Sequence, residues 1–541
     1  MRIMTTVMLG MASSASAQAI PAAAPPPASA AATPHSEMAG MNHDDMAVSK
    51  TPMLMPGYGG GGFPITTHVP RAQAFFDNGM QLAHAFAHSA AIKAMEEAVR
   101  LDQRCAMCLW GLAWASGPTI NYGKSGDETA PLAEMANKAS GLAEKSGTAR
   151  ERALIKALQR RYTDGGGGKP GDLQFAKTMA VLAAEYPADA SPITKEIAVI
   201  AADAWLEVHS DGPDDDVLNA RMALPLLEGV LKRYPDYTPA IHFYIHATEM
   251  ARVPALAEPY ADRLAALAPR ASHLVHMPSH TFYWVGRYQD AADTNMKAVA
   301  LGIENARVLG MPAPDGVWGL PYHAHNVTFG LGGALEAGDA KTALYLGRPL
   351  VERSQARDKA GMYNQLIAAN GYYAMARFAE PAEVLALPRP KLPLLVAEWH
   401  YARGEALARK GDAGGARAEA AAIRGIGPKQ SKDDGTLQAQ DLTMIARNVL
   451  VGRAAMIERR FGEAATAFQA AAELQESDDF SAISDPPGWY YPVQRDLAAA
   501  LLASGDRAGA RREAEAALAY RVKDPGTVAL LAGMGAQSAV R

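Results

Sequence analysis

Gly286-Arg287-Tyr288-Gln289-Asp290-Ala291, with Ala298 seven residues beyond its alanine, decides how this chain folds. The glycine can end one helix, and the polar run after it opens a second. Ala291 and Ala298 then place small side chains on one face of that second helix, two turns apart. Small residues there let two helices approach closely. Working outward, Pro269 stands upstream of this hairpin, and Pro235, in Arg233-Tyr234-Pro235-Asp236, stands 34 residues before Pro269. Each proline closes a helical hairpin, because proline cannot continue a helix. A hairpin recurring in tandem at about 34 residues predicts a stack of repeats with one continuous core.

The same marks recur along the chain. His88-Ser89-Ala90-Ala91 with Ala98, Gly338-Asp339 with Ala343, and Gly411-Asp412 with Ala416 fit the pattern. So do Phe461-Gly462-Glu463-Ala464 with Ala471, and Gly505-Asp506 with Ala510 and Ala517. In sum these residues resemble the tetratricopeptide repeat (TPR) consensus. The resemblance implies an all-α, TPR-type helical-hairpin solenoid, wound as a right-handed superhelix. The TPR array carrying most histidines is expected over 65–345, and further C-terminal TPR repeats over 346–541. Gly165 to Gly168 and Met311 to Leu320 read as insertions.

The N-terminus reads differently. Arg2, the apolar stretch Ile3 to Ala12 and the A-x-A sites Ala15-Ser16-Ala17 and Ala17-Gln18-Ala19 predict a signal peptide over 1–19, and so a periplasmic or secreted protein. Residues 20–64 form a low-complexity tail, first Pro/Ala-rich and then Met/His/Gly-rich, expected to be disordered and to end at Gly59 to Gly62. Within it, His35-Ser36-Glu37-Met38-Ala39-Gly40-Met41-Asn42-His43-Asp44-Asp45-Met46 mixes thioether with imidazole, a pairing that favours copper or serves as a polar tether. No run of apolar residues is long enough to span a membrane. The net charge of −5, without a basic block, argues against nucleic acid. The two cysteines, Cys105 and Cys108, could be small core residues, a disulfide, a redox pair or half of a metal site.

Histidine carries the functional signal. Of 14 histidines, two lie in the tail, and His68, His209 and His400 are scattered. The other nine sit in a few motifs. With repeats starting at Thr238 and Ser272, His242 and His276 take the fifth place and His246 and His280 the ninth. In the tetratricopeptide family those places, and the twelfth held by Glu249, face the concave groove. His273 and His325 take second places, His323 is adjacent to His325, His84 takes a thirteenth place, and His88 lies in a turn. The register pairs His242 with His276 and His246 with His280. Pro278 threatens that geometry, because it interrupts a helix already begun at Ser272. Trp110 and Trp114, with Tyr322 and His323, are expected to line the groove for substrate.

Imidazoles four apart on one helix can grip one metal ion, and two such pairs on adjacent helices could hold one ion or two. The expected ligands are His242, His246, His273, His276, His280, His325, His84 and His88. Glu249 is a ligand, a general base or the partner fixing an imidazole tautomer, and Tyr244 and Tyr283 are the other catalytic candidates. The metal is a transition metal, copper first, with zinc or iron as alternatives. His242-Phe243 lacks the glutamate of a zinc-protease helix, and Gly165 to Gly168 lacks the Lys-Ser/Thr of a phosphate loop.

Phe75 to Asn121, Ala240 to Glu249, His273-Leu274-Val275-His276-Met277-Pro278-Ser279-His280 and Tyr322-His323-Ala324-His325-Asn326 are similar to a family of exported bacterial TPR proteins with an HMPSH motif. That likeness covers 65 to 345, implies the fold and marks the histidines, but names no reaction. Asp102-Gln103 departs from the family's Asp-Pro. Two functions follow. One is a metal site in the groove serving oxidation of a small or peptide-like ligand by a metal-dependent oxidoreductase. The other is a periplasmic peptide- or partner-protein-binding scaffold, or a copper store, without catalysis.

Overall fold

A computed structural model describes residues 52–124, 126–163, 167–186, 191–209, 212–311, 315–426, 435–481 and 485–539. The signal peptide and the Met/His tail lie outside these residues, as do Gly165 and Gly166 of the four-glycine loop and part of the Met311–Leu320 stretch. Among the described residues every long element is a helix and there is no strand, and Thr119 and Tyr122 form an isolated bridge. Consecutive helices pack as antiparallel hairpins, as in Pro70–His84 with His88–Leu101 and Gln494–Ser504 with Arg507–Tyr520. The fold is the expected all-α TPR-type solenoid.

The repeat marks act as their chemistry predicts. Ala91, Ala98, Ala291, Ala298, Ala343, Ala416, Ala464, Ala471, Ala510 and Ala517 are all fully buried. A larger side chain at any of them would push two helices apart. Gly338 and Gly505 end their helices in the left-handed region, at φ 80° and 97°. The aspartate that follows each caps the next helix: Asp339 accepts from the Thr342 amide at 3.1 Å and Asp506 from the Gly509 amide at 2.8 Å. Asp412 does the same for Gly415 at 2.8 Å. Glycine stops one helix and aspartate starts its partner.

Three findings correct the sequence reading. The low-complexity segment was expected to run unpacked through residue 64, yet 52–64 lies against the helices. Tyr58 and Phe63 are buried, the Met55 amide donates to Asn78 Oδ1 at 2.8 Å, and the Arg270 amide donates to the Gly57 carbonyl at 3.0 Å. Two apolar anchors among the glycines are enough to seat it. Second, Pro278 does split its helix, into Ser272–His276 and Pro278–Trp284. Third, the C-terminal repeats return to the middle of the array. Tyr288 Oη donates to the Val522 carbonyl at 2.5 Å, Lys523 Nζ to the Val285 carbonyl at 2.9 Å, and Arg521 pairs with Glu336 at 3.0 Å with both side chains buried. One buried apolar cluster runs from Tyr58 to Phe282, Ala291 and Tyr322, and another from Ala292 to Ala500. The histidine repeats lie where the two meet.

Candidate metal centre

Four helices bring six imidazoles together. Thr238–Met250 supplies His242 and His246, Ser272–His276 supplies His273 and His276, Pro278–Trp284 supplies His280, and His323–Ala337 supplies His325. They form two triads, His242 with His246 and His273, and His276 with His280 and His325. Within each, one ring nitrogen per residue lies within 4.8 Å of the other two. His242 Nε2 is 3.1 Å from His273 Nε2, and His276 Nε2 is 2.9 Å from His280 Nε2. Two nitrogens bound tetrahedrally to one ion at about 2.0–2.1 Å sit roughly 3.3 Å apart, so both spacings suit a shared ion. The triads abut: ring centroids of His246 and His280 are 5.7 Å apart, and those of His273 and His276 are 5.6 Å apart.

The surrounding groups decide which nitrogen carries a proton. His242 Nδ1 lies 2.7 Å from the His84 carbonyl oxygen, an acceptor only, so Nδ1–H donates and the Nε2 lone pair turns inward. His276 Nδ1 lies 2.7 Å from Asn295 Oδ1, and Asn295 Nδ2 donates to the Ala291 carbonyl at 2.8 Å, which fixes the amide. His276 therefore also presents an Nε2 lone pair. His280 Nδ1 donates to Glu249 Oε2 at 2.7 Å, and Glu249 Oε1 accepts from Trp284 Nε1 at 2.7 Å. Asp485 Oδ1 is 3.3 Å from the same His280 nitrogen, and Asp485 Oδ2 is 3.9 Å from His325 Nε2. Hydrogen bonds of this kind orient a metal-binding imidazole and raise its basicity. His246 Nε2 is buried with no hydrogen-bond partner at all.

Burial sets the charge state. It drives His242 down to about 3, and His246, His273, His276 and His325 well below the usual histidine range, so those rings are neutral and ligand-ready. Burial acts on His280 too, but Glu249 and Asp485 outweigh it and hold that ring up at about 9. With its Nδ1–H on Glu249, the His280 proton on Nε2 bridges to the His276 lone pair. A metal ion would take that proton's place. Burial also pushes the Asp485 carboxyl up to about 7, although the side chain keeps some solvent contact.

Aromatic rings wall the site. Phe86 stacks on His273 at 4.8 Å and meets His242 edge-on at 4.5 Å, Phe329 covers His280 at 4.4 Å and His276 at 5.0 Å, and Tyr322 lies 4.5 Å from His273. Phe86 and Tyr322 have φ of 55° and 65°, a region bulky side chains rarely adopt. Such strain costs on the order of 1–3 kcal/mol and persists where surrounding packing enforces it. The wall was expected to face an open groove, but it is enclosed. All six rings are buried or nearly so, His325 being the most exposed with 10% of its side chain accessible. A cavity of about 100 Å³ adjoins His273, bounded by Phe86, His88, Tyr322, His323 and Met55.

Several predicted positions fall elsewhere. Of the expected pairs, His246 does meet His280, with ring centroids 5.7 Å apart, while the triads group His242 with His246 and His273 and set His276 beside His280 and His325. His84 is not in either triad: its ring binds Glu196 at 3.0 Å, and only its carbonyl serves the site. His88 stacks on Phe86 at 5.1 Å, beside the cavity. Tyr244 points away and donates to Glu228 at 3.2 Å, and Tyr283 packs against Arg521. Tyr244 lies on the face of its helix opposite His242 and His246, and Tyr283, one turn on from His280, turns to Arg521 and the edge of Phe329. Trp110 is fully buried and stacks on Trp114 at 5.8 Å, away from any groove, whereas Trp114 borders a small pocket with His84, Phe86 and His88. His323 contacts Trp318 at 4.9 Å, and Tyr322, expected in the groove, covers the triads instead. Asp485, Asn295, Phe86 and Phe329 were missed. Asp485 lies some 200 residues from the triads in sequence, outside any repeat mark. Cys105 and Cys108 form a disulfide at the start of helix Ala106–Ala115.

No family model and no curated protein matches the chain. Among solved structures it is similar to the TPR domain of P58(IPK), with 11% identity, covering 87% of this chain and 99% of that one at a TM-score of 0.23. It is also similar to human IFIT1, solved as a dimer with m7Gppp-AAAA, with 12% identity, 84% and 91% coverage and a TM-score of 0.30. A third is the APC/C hetero-tetramer Cut9-Hcn1, with 12% identity, 88% and 91% coverage and a TM-score of 0.21. At such low TM-scores these likenesses add no weight to the fold, which the helical hairpins themselves define.

Proposed function

We propose that this is an exported TPR protein of the HMPSH type that holds a transition metal, copper first, in the enclosed histidine site. One observation carries the reading. His276 and His280 each have Nδ1 committed to an acceptor, so both Nε2 atoms converge at 2.9 Å with a single proton between them. Replacing that proton with a metal ion would leave two Nε2 lone pairs aimed at one point, with both Nδ1 atoms already held by acceptors. All-nitrogen triads suit copper, zinc, iron or nickel, and the Met/His tail tips the choice to copper. The Cys105–Cys108 disulfide supports an oxidising compartment. Enclosed redox-capable metal supports an oxidoreductase acting on a small molecule. Burial of the rings speaks against a peptide laid across them, which leaves a copper store as the second reading.

The test is a competition titration of the full chain against a chromogenic copper chelator. The reading expects sub-micromolar affinity in wild type and its loss in the His246→Ala, His280→Ala double variant. Equal, weak uptake by both proteins would sink it.

A further inference from the structure

Resting on that reading, we infer that the two triads hold two ions of one coupled centre, open to a small anion that bridges them. Three observations point this way. Each triad supplies three nitrogens, one short of the four-coordinate set, so each leaves a position for an exogenous ligand. The triads are not separate sites, since His246 contacts His280 and His273 contacts His276, with centroids under 6 Å apart in both cases. Among the described residues the carboxylates at the cluster, Glu249 and Asp485, meet His280 at Nδ1, while its Nε2 faces His276, and His246 Nε2 is buried and unpartnered.

Charge supports the same arrangement. Once a metal ion replaces the His280 Nε2 proton, all six imidazoles are neutral and bring no charge of their own. Glu249 and Asp485, both at His280, are the carboxylates facing the cluster. With both carboxylates ionised they balance two cuprous ions, which makes the reduced centre neutral inside an enclosed, low-dielectric site. Two cupric ions leave a surplus of two positive charges, and like charges in such a site repel strongly. A bridging hydroxide or similar small anion offsets that repulsion and fills the open position on each ion. The asymmetry is also physical: both carboxylates lie beside His280, while Phe86, Phe243 and Tyr322 surround the other triad.

Loading the full chain with cupric ion, removing excess, and measuring copper by mass spectrometry together with integrated electron paramagnetic resonance decides the matter. The expected result is two coppers per chain with a resonance far weaker than that copper would give uncoupled, because an anion bridge pairs the two spins. Azide is the probe for the bridge and should produce a new charge-transfer absorption. His325→Ala and His246→Ala, made separately, should each leave one copper with full resonance intensity. One copper in wild type, or two with full intensity, overturns the inference while leaving a metal-binding protein. No bound copper removes both this inference and the reading beneath it.

Discussion

At the scale of single residues, the site depends on groups that never touch a metal. Asn295 holds His276 in one tautomer, and the Ala291 carbonyl holds Asn295. Removing an outer partner of this kind costs about 10–100-fold in metal affinity. Asn295→Ala should therefore weaken copper binding by about that factor while helical content, read by circular dichroism, stays constant. An unchanged affinity would mean the tautomer is fixed in some other way. This scale also marks how far the sequence could be read. The two pairs His242/His246 and His276/His280 and the outlying His273 and His325 were legible because spacing and repeat register brought them together. Asn295 was not, since an asparagine in the middle of a helix carries no periodic signal, and nothing in the sequence sets Phe86 and Phe329 apart from other apolar residues.

At the scale of the element, buried alanines mark the hairpins, and at Asp339, Asp412 and Asp506 a glycine stop and an aspartate cap set the turn as well. Loss of such a cap costs typically about 1 kcal/mol. Asp506→Ala should lower stability by about that amount in chemical denaturation, and Asp506→Asn by clearly less, because asparagine can cap too. Enlarging a fully buried alanine is harsher. Ala464→Leu should destabilise by about 1–3 kcal/mol, since Ala464 has no free space around it. These marks were readable because the chemistry of a cap or a close helix approach is local. The split at Pro278 was foreseen as a hazard, but its result was not, because how a broken helix re-aims its side chains depends on what packs over it. His276 and His280 still meet, as neighbours in one triad.

At the scale of the whole molecule, the C-terminal repeats complete what the central ones begin. Asp485 reaches His280 and His325, and Arg521 is buried against Glu336 on helix His323–Ala337, which carries His325. Breaking a buried ion pair by deleting one partner costs about 3–5 kcal/mol, because the other is left stranded. Arg521→Ala should lower the melting temperature and weaken copper binding together, and Arg521→Ala with Glu336→Gln should recover part of both. If the single variant lost stability while copper affinity held, the C-terminal repeats would be a separate unit. Such long-range closure left no trace in the sequence, where every repeat mark reports only on its immediate neighbour.

The most direct test of a histidine metal centre is X-ray absorption at the copper edge on the loaded, full-length protein. Copper held by the triads predicts nitrogen scatterers at about 2.0 Å with the multiple-scattering pattern of imidazole, three per ion. A first shell dominated by sulfur, or by oxygen without imidazole, would contradict it.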